Sequence, residues 1–69
     1  MNTQEAFKRG WNCHAAGATH RTGHSIYREH GQWFLEKVRM QGETLVKDKP
    51  LKLNAATLSA ALDAATRKI

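Results

Sequence analysis

Cysteine, proline and acidic residues are all scarce in this 69-residue chain. The single cysteine, Cys13, excludes an internal disulfide and suits a reducing compartment, so a cytoplasmic location is expected. No apolar run approaches the roughly 18 residues that a membrane-spanning helix needs, so no membrane contact is expected. The opening residues, MNTQEAFKRG, lack the basic-then-apolar layout of a secretory signal. The chain also lacks a CxxC knuckle, a Gly-rich phosphate loop and paired carboxylates at metal-binding spacing. Cys13 and His14 are adjacent, so on a helix they diverge by about 100° and form no nucleophile–base pair. No enzymatic chemistry and no cofactor are therefore expected.

The shortage of acid leaves eleven Lys and Arg against six Asp and Glu, a net charge of +5. Such a balance attracts polyanions at long range. Nucleic acid is the commonest partner of that kind, and anionic protein surfaces come next. The length fits one domain, and 41% apolar residues suffice for a small core.

A first helix is expected from Asn2 or Thr3, because Asn2 and Glu5 stand at capping-box spacing. Phe7, Trp11 and then His14 or Ala15 recur at helical spacing, which makes Trp11 a core anchor and Gly17 the stop. The segment ATHRTGH, residues 18–24, has no periodicity and reads as a loop. Histidine is dense around it: His14, His20, His24 and His30. With Cys13, the residues His20, His24 and His30 could supply a zinc site. Unrelated surface histidines explain them more simply.

The stretch from His24 to Val46 reads as three antiparallel strands, Ile26–Glu29, Gln32–Met40 and Glu43–Lys47. Its aromatic and branched residues suit a pleated, half-buried surface. His30-Gly31 and Gln41-Gly42 are the two turns. The rival reading is a helix from Gln32 to Met40. With two-residue turns, Tyr27 faces Phe34, Ile26 faces Leu35 and Arg28 faces Trp33. In the second hairpin Val38 faces Leu45, Arg39 faces Thr44 and Glu36 can pair with Lys47. Alternation then collects Tyr27, Phe34, Val38, Met40 and Leu45 on one face, the expected core. Arg28, Trp33, Lys37 and Arg39 fall on the other, with Ile26, Leu35 and Val46.

Pro50 lacks an N–H and turns Lys49 away from helix, so residues 47–50 connect. Leu51-Lys52-Leu53 forms a brief edge strand or an extended run. Lys47, Lys49 and Lys52 cluster there, either as a solvated loop or as phosphate contacts. A second helix is expected from an Asn54 cap to Ile69, with an apolar stripe of Leu58, Ala61, Leu62, Ala65 and Ile69. Its alanines allow close packing on a sheet, and the same feature could serve a self-association seam in a homodimer.

The expected architecture is α+β: an N-terminal helix, a three-stranded antiparallel meander and a C-terminal Ala-rich helix (αβββα). Its basic, ring-bearing face would contact nucleic acid. Lys37, Arg39, Lys47, Lys49 and Lys52 would meet phosphates, and Trp33 would stack. The same face would serve a protein partner, since Trp, Tyr and Arg dominate interface energetics.

From Gly31 onward the chain resembles the three-stranded DNA-binding domains of the AP2 and integrase N-terminal type. The features carrying this are Gly31-Gln32-Trp33, Glu36, Arg39, Gly42 and the run LNAATLSAALDAA. The resemblance implies a sheet in the major groove of DNA, with Arg28, Trp33, Lys37 and Arg39 at the contact. The long N-terminal helix and the Asn-Ala-Ala-Thr helix start depart from that pattern, and Lys37 stands where arginine reads guanine best. The helix–strands–helix order is also similar to double-stranded RNA-binding domains, without their basic start to the last helix. In size and charge the chain is similar to bacteriophage accessory proteins that bind a host protein.

Overall fold

The computed structural model describes all 69 residues. Two helices and six strands follow in the order α1 (Thr3–Lys8), β1 (Trp11–His14), β2 (Gly17–His20), β3 (His24–Glu29), β4 (Gln32–Gln41), β5 (Thr44–Lys47), β6 (Leu51–Leu53) and α2 (Leu58–Thr66). The strands form one antiparallel sheet in the order β1-β2-β3-β4-β5, with β6 also paired to β4. The class is α+β as expected, but the sheet has six strands rather than three.

Two of the extra strands come from the segment expected to continue the first helix and the loop after it. Asn2 does cap α1, its Oδ1 accepting the Glu5 N–H at 2.8 Å. The helix then stops at Lys8, and Gly10 reverses the chain at φ +96°. Phe7, expected on the apolar stripe, is 72% exposed, and Ala6 is the residue that packs inward. Trp11 is a core anchor, but from a strand. Along β1, burial alternates, with Trp11 and Cys13 inward and Asn12 and His14 outward. A spacing of four, as between Phe7 and Trp11, fits the helical period and the strand period alike, so these few residues could not separate them.

The β3–β4 hairpin has the expected register, with Ile26 opposite Leu35, Tyr27 opposite Phe34 and Arg28 opposite Trp33. Its turn places His30 and Gly31 at φ 52° and 77°, the positive pair that a type I′ hairpin requires. Residues 32–41 are strand, so the rival helix does not form. In the next hairpin the turn is Gly42-Glu43, and Met40 pairs with Leu45 and Gln41 with Thr44. The expected register was therefore off by two residues. That is one full strand repeat, so each side chain keeps its face.

β5 and β6 both run along the edge of β4 away from β3. Val38 pairs with Lys47, whereas Leu35 pairs with Leu51, so the outer strand carries one extra residue between them. This bulge holds Asp48, Lys49 and Pro50, where a residue without an N–H is tolerated. It turns Leu53 onto the same side as Trp33 and Lys52 onto the side of Phe34.

The expected burial of the two faces is reversed. The core contains Trp11, Ala18, Ile26, Trp33, Leu35 and Leu53 from the sheet, with Ala6 from α1 and Ala61, Leu62 and Ala65 from α2. Tyr27, Phe34, Val38, Met40 and Leu45 lie on the side that α2 leaves open. Counting only three strands, the Tyr27 side looks the more apolar, because Arg28, Lys37 and Arg39 fall on the other. Trp11 and Ala18, on the strands not foreseen, and Leu53, beyond the bulge, widen the Trp33 side into the larger apolar area. Burying that side under α2 removes more surface from water.

α2 is shorter than expected and starts elsewhere. Thr57, rather than Asn54, is the cap, its Oγ1 accepting the Ala60 N–H at 3.2 Å. The inward stripe of Ala61, Leu62 and Ala65 packs on the sheet of the same chain. The Trp11 indole N–H donates to Thr66 Oγ1 at 3.1 Å and ties β1 to the last turn of α2.

Candidate nucleic-acid interface

Trp33 is not a surface ring. It is 8% exposed, and its indole N–H is buried without a hydrogen-bond partner. It cannot stack on a base while α2 covers it, which corrects its expected role. The cations expected beside it are divided by strand alternation. Arg28, Lys37 and Arg39 share the Trp33 side of the sheet, whereas Lys47 and Lys52 point to the open side. Arg28 is exposed at the end of β3, and Lys37 is half-buried opposite His24. Arg39 is held 3.0 Å from Asp48, and Lys47 lies 3.9 Å from Glu36. Lys49 is exposed in the bulge, and Lys52 is exposed on β6. The expected contact set is thus not one patch.

The zinc candidates do not converge either. No three His, Cys, Asp or Glu side chains come together as a metal-ion set. Cys13 is half-buried on β1, and His30 stands in the β3–β4 turn with its side chain 91% exposed. His20 and His24 are bridged by Thr22, whose hydroxyl lies 2.8 Å from His20 Nδ1 and 2.7 Å from His24 Nδ1. The Thr22 N–H also donates to His20 Nδ1 at 3.2 Å, which assigns the ring proton to Nε2, 2.8 Å from the Arg9 carbonyl. The His20 ring meets Trp11 edge-on at 4.6 Å. These bonds make His20 a structural link between β2 and the end of α1. Burial, then Lys37 and His20, hold His24 below its ordinary pKa.

Two features escaped the sequence reading. The first is an open cleft of about 600 Å³ between β6 and the end of α2, lined by Lys52, Asn54, Ala64, Arg67 and Lys68. No carboxylate lines it. Three of the eleven Lys and Arg side chains, Arg9, Arg39 and Lys47, meet an acidic partner, and none of the cleft cations is among them. Locally, Arg67 and Lys68 oppose the negative end of the α2 helix dipole. Only the docking of α2 brings them to Lys52.

The second is the open face itself. Tyr27 and Phe34 stack there with ring centroids 5.5 Å apart and planes 21° from parallel. Gly17 stands opposite Tyr27 on one side, and Lys52 stands opposite Phe34 on the other. One row across the sheet therefore reads Gly17, Tyr27, Phe34, Lys52.

Comparison of the chain with family models, curated proteins and solved structures finds no match. No helix is long and apolar enough to cross a membrane.

Proposed function

We propose that the protein is a small, non-enzymatic nucleic-acid-binding module that meets phosphates through Lys52, Arg67 and Lys68. The observation that carries this reading is the cleft between β6 and α2, where three cations without acidic partners line one opening. Like charges gathered without counter-charge repel one another, and a polyanion relieves that repulsion while releasing its own counterions. Trp33 has no part in the contact, and Arg39 and Lys47 are reduced to minor contributors by Asp48 and Glu36. A cytoplasmic location accords with the unpaired thiol of Cys13.

The test is a titration of labelled DNA and RNA at two salt concentrations, with heparin as competitor. Binding is expected to weaken steeply as salt rises, and the double change Lys52→Glu and Arg67→Glu is expected to abolish it at moderate salt. If neither DNA nor RNA binds at low salt, the reading is lost.

A second reading, contact with a partner protein, rests on a different observation. Met40 and Leu45 face each other across the β4–β5 hairpin and are 65% and 56% exposed. A nuclease-resistant pull-down that Met40→Ser removes would favour it.

A further inference from the structure

We infer that the nucleic acid this protein takes is single-stranded: its bases continue the Tyr27–Phe34 stack on the open face of the sheet, and its backbone crosses the β6 edge into the Lys52, Arg67 and Lys68 cleft. This rests on the nucleic-acid reading above and specifies the form of the ligand. Three features of the Gly17–Tyr27–Phe34–Lys52 row support it.

First, the two rings are near-parallel and partly exposed, so a third flat ring can extend the stack. Stacking on aromatic side chains is available to every base and needs a free base face. In a duplex those faces are covered by neighbouring base pairs, and a protein meets mainly base edges and phosphates.

Second, no side chain on β2 competes for the Tyr27 ring from directly across the strand. Its cross-strand neighbour there is Gly17, where a Cβ would fall 1.9 Å from the Ile26 carbonyl oxygen. No side chain can therefore stand in that position, and the Tyr27–Phe34 stack has no third protein ring or chain set against it from β2.

Third, the charges on this face are ordered from centre to rim. Glu36 lies on the open face near the Tyr27 hydroxyl and pairs there with Lys47 at 3.9 Å, so the middle of the sheet offers phosphate no free cation. Lys52 marks the β6 edge of the same row and also lines the cleft with Arg67 and Lys68. Neutral bases are thus favoured inside and the phosphodiester backbone at the β6 edge. Lys52 is the residue common to both parts.

The experiment is fluorescence anisotropy with a labelled oligothymidine and with a duplex of the same length, using the full chain at low and moderate salt. The variants are Phe34→Leu, Tyr27→Leu and Lys52→Gln, with Lys8→Gln as a control cation on α1 outside the cleft. A urea titration establishes that each variant is folded, and the two aromatic changes back each other should one fail. The single strand is expected to bind roughly tenfold more tightly than the duplex, and either aromatic change should cost it about tenfold. Lys52→Gln should lower the logarithmic salt dependence by about 0.7, the amount for one phosphate of a single strand. Lys8→Gln should leave both unchanged. Equal or tighter binding of the duplex, or indifference of the single strand to both aromatic changes, overturns this inference. If Lys52→Gln still weakens binding in that case, the cationic cleft stands. No binding of either ligand at low salt removes the cleft and the single-strand inference together.

Discussion

The carboxylate of Glu36 lies 3.9 Å from the ammonium of Lys47 on the open face of the sheet. Their pairing was expected as a directly opposed cross-strand contact. It forms as a diagonal instead, because Lys47 stands opposite Val38. Glu36 also lies near the only tyrosine of the chain, so its charge can be read spectroscopically. Burial, then the carboxylates of Glu36 and Glu29, push the Tyr27 phenol above its ordinary 10.0. In an absorbance titration, Tyr27 should ionise later than a free phenol, and Glu36→Gln should move it back toward the ordinary value. Because the unfolded phenol ionises first, Tyr27 should contribute a loss of stability as pH rises above 10.0.

The two tryptophans should respond oppositely to losing their N–H groups. Trp11→Phe removes the bond to Thr66 Oγ1 and leaves a gap where a fully buried ring stood. Trp33→Phe also shortens a ring, but it deletes a donor that has no partner. Relief of that unsatisfied group, about 1–3 kcal/mol, offsets the lost packing. In urea titrations Trp11→Phe should cost about 2–3 kcal/mol and Trp33→Phe less than about 1 kcal/mol. Equal losses would contradict the different partners of the two rings.

Gly17→Ala should be among the most destabilising single changes available. Its methyl would meet the Ile26 carbonyl at 1.9 Å, on backbone that cannot yield without separating β2 from β3. A loss above about 3 kcal/mol is expected, the range of severe overpacking. A thermal melt of the variant checks this directly.

His24 predicts a loss of stability in mild acid. Its pKa is lowered from 6.5, with burial as the largest cause, followed by Lys37 and His20, and opposed by Asp48. The unfolded chain therefore takes up the proton first as pH falls. The contribution of His24 is full above pH 6.5 and is lost as pH drops through the folded-state pKa. Urea midpoints measured from pH 7 to pH 5 should fall, with pH 6.5 as the onset. Lys37→Met should reduce the fall by removing one of the charges that oppose protonation.

Some of this was legible without coordinates because it depends on neighbours in the chain. The His30-Gly31 turn sets the β3–β4 register over several residues, and Asn2 caps α1 from three residues away. The C-terminal helix, dense in alanine, forms with Ala61, Leu62 and Ala65 of the expected stripe inward, while Ile69 lies beyond its end and is 41% exposed. The cleft was not legible, because Lys52 and Arg67 are far apart in sequence and meet only when α2 docks.

Local spacing thus determined the β3–β4 hairpin, the cap of α1 and the inward residues of α2, since pairing and backbone preference act over a few residues. The folded chain alone decided which side of the sheet is covered. That choice depends on total apolar area, and Trp11, Ala18 and Leu53 add theirs from strands distant from Trp33 in sequence. Placing Trp33 under α2 and leaving Tyr27 with Phe34 outside is the consequence, and with it the position of every cation that faces outward.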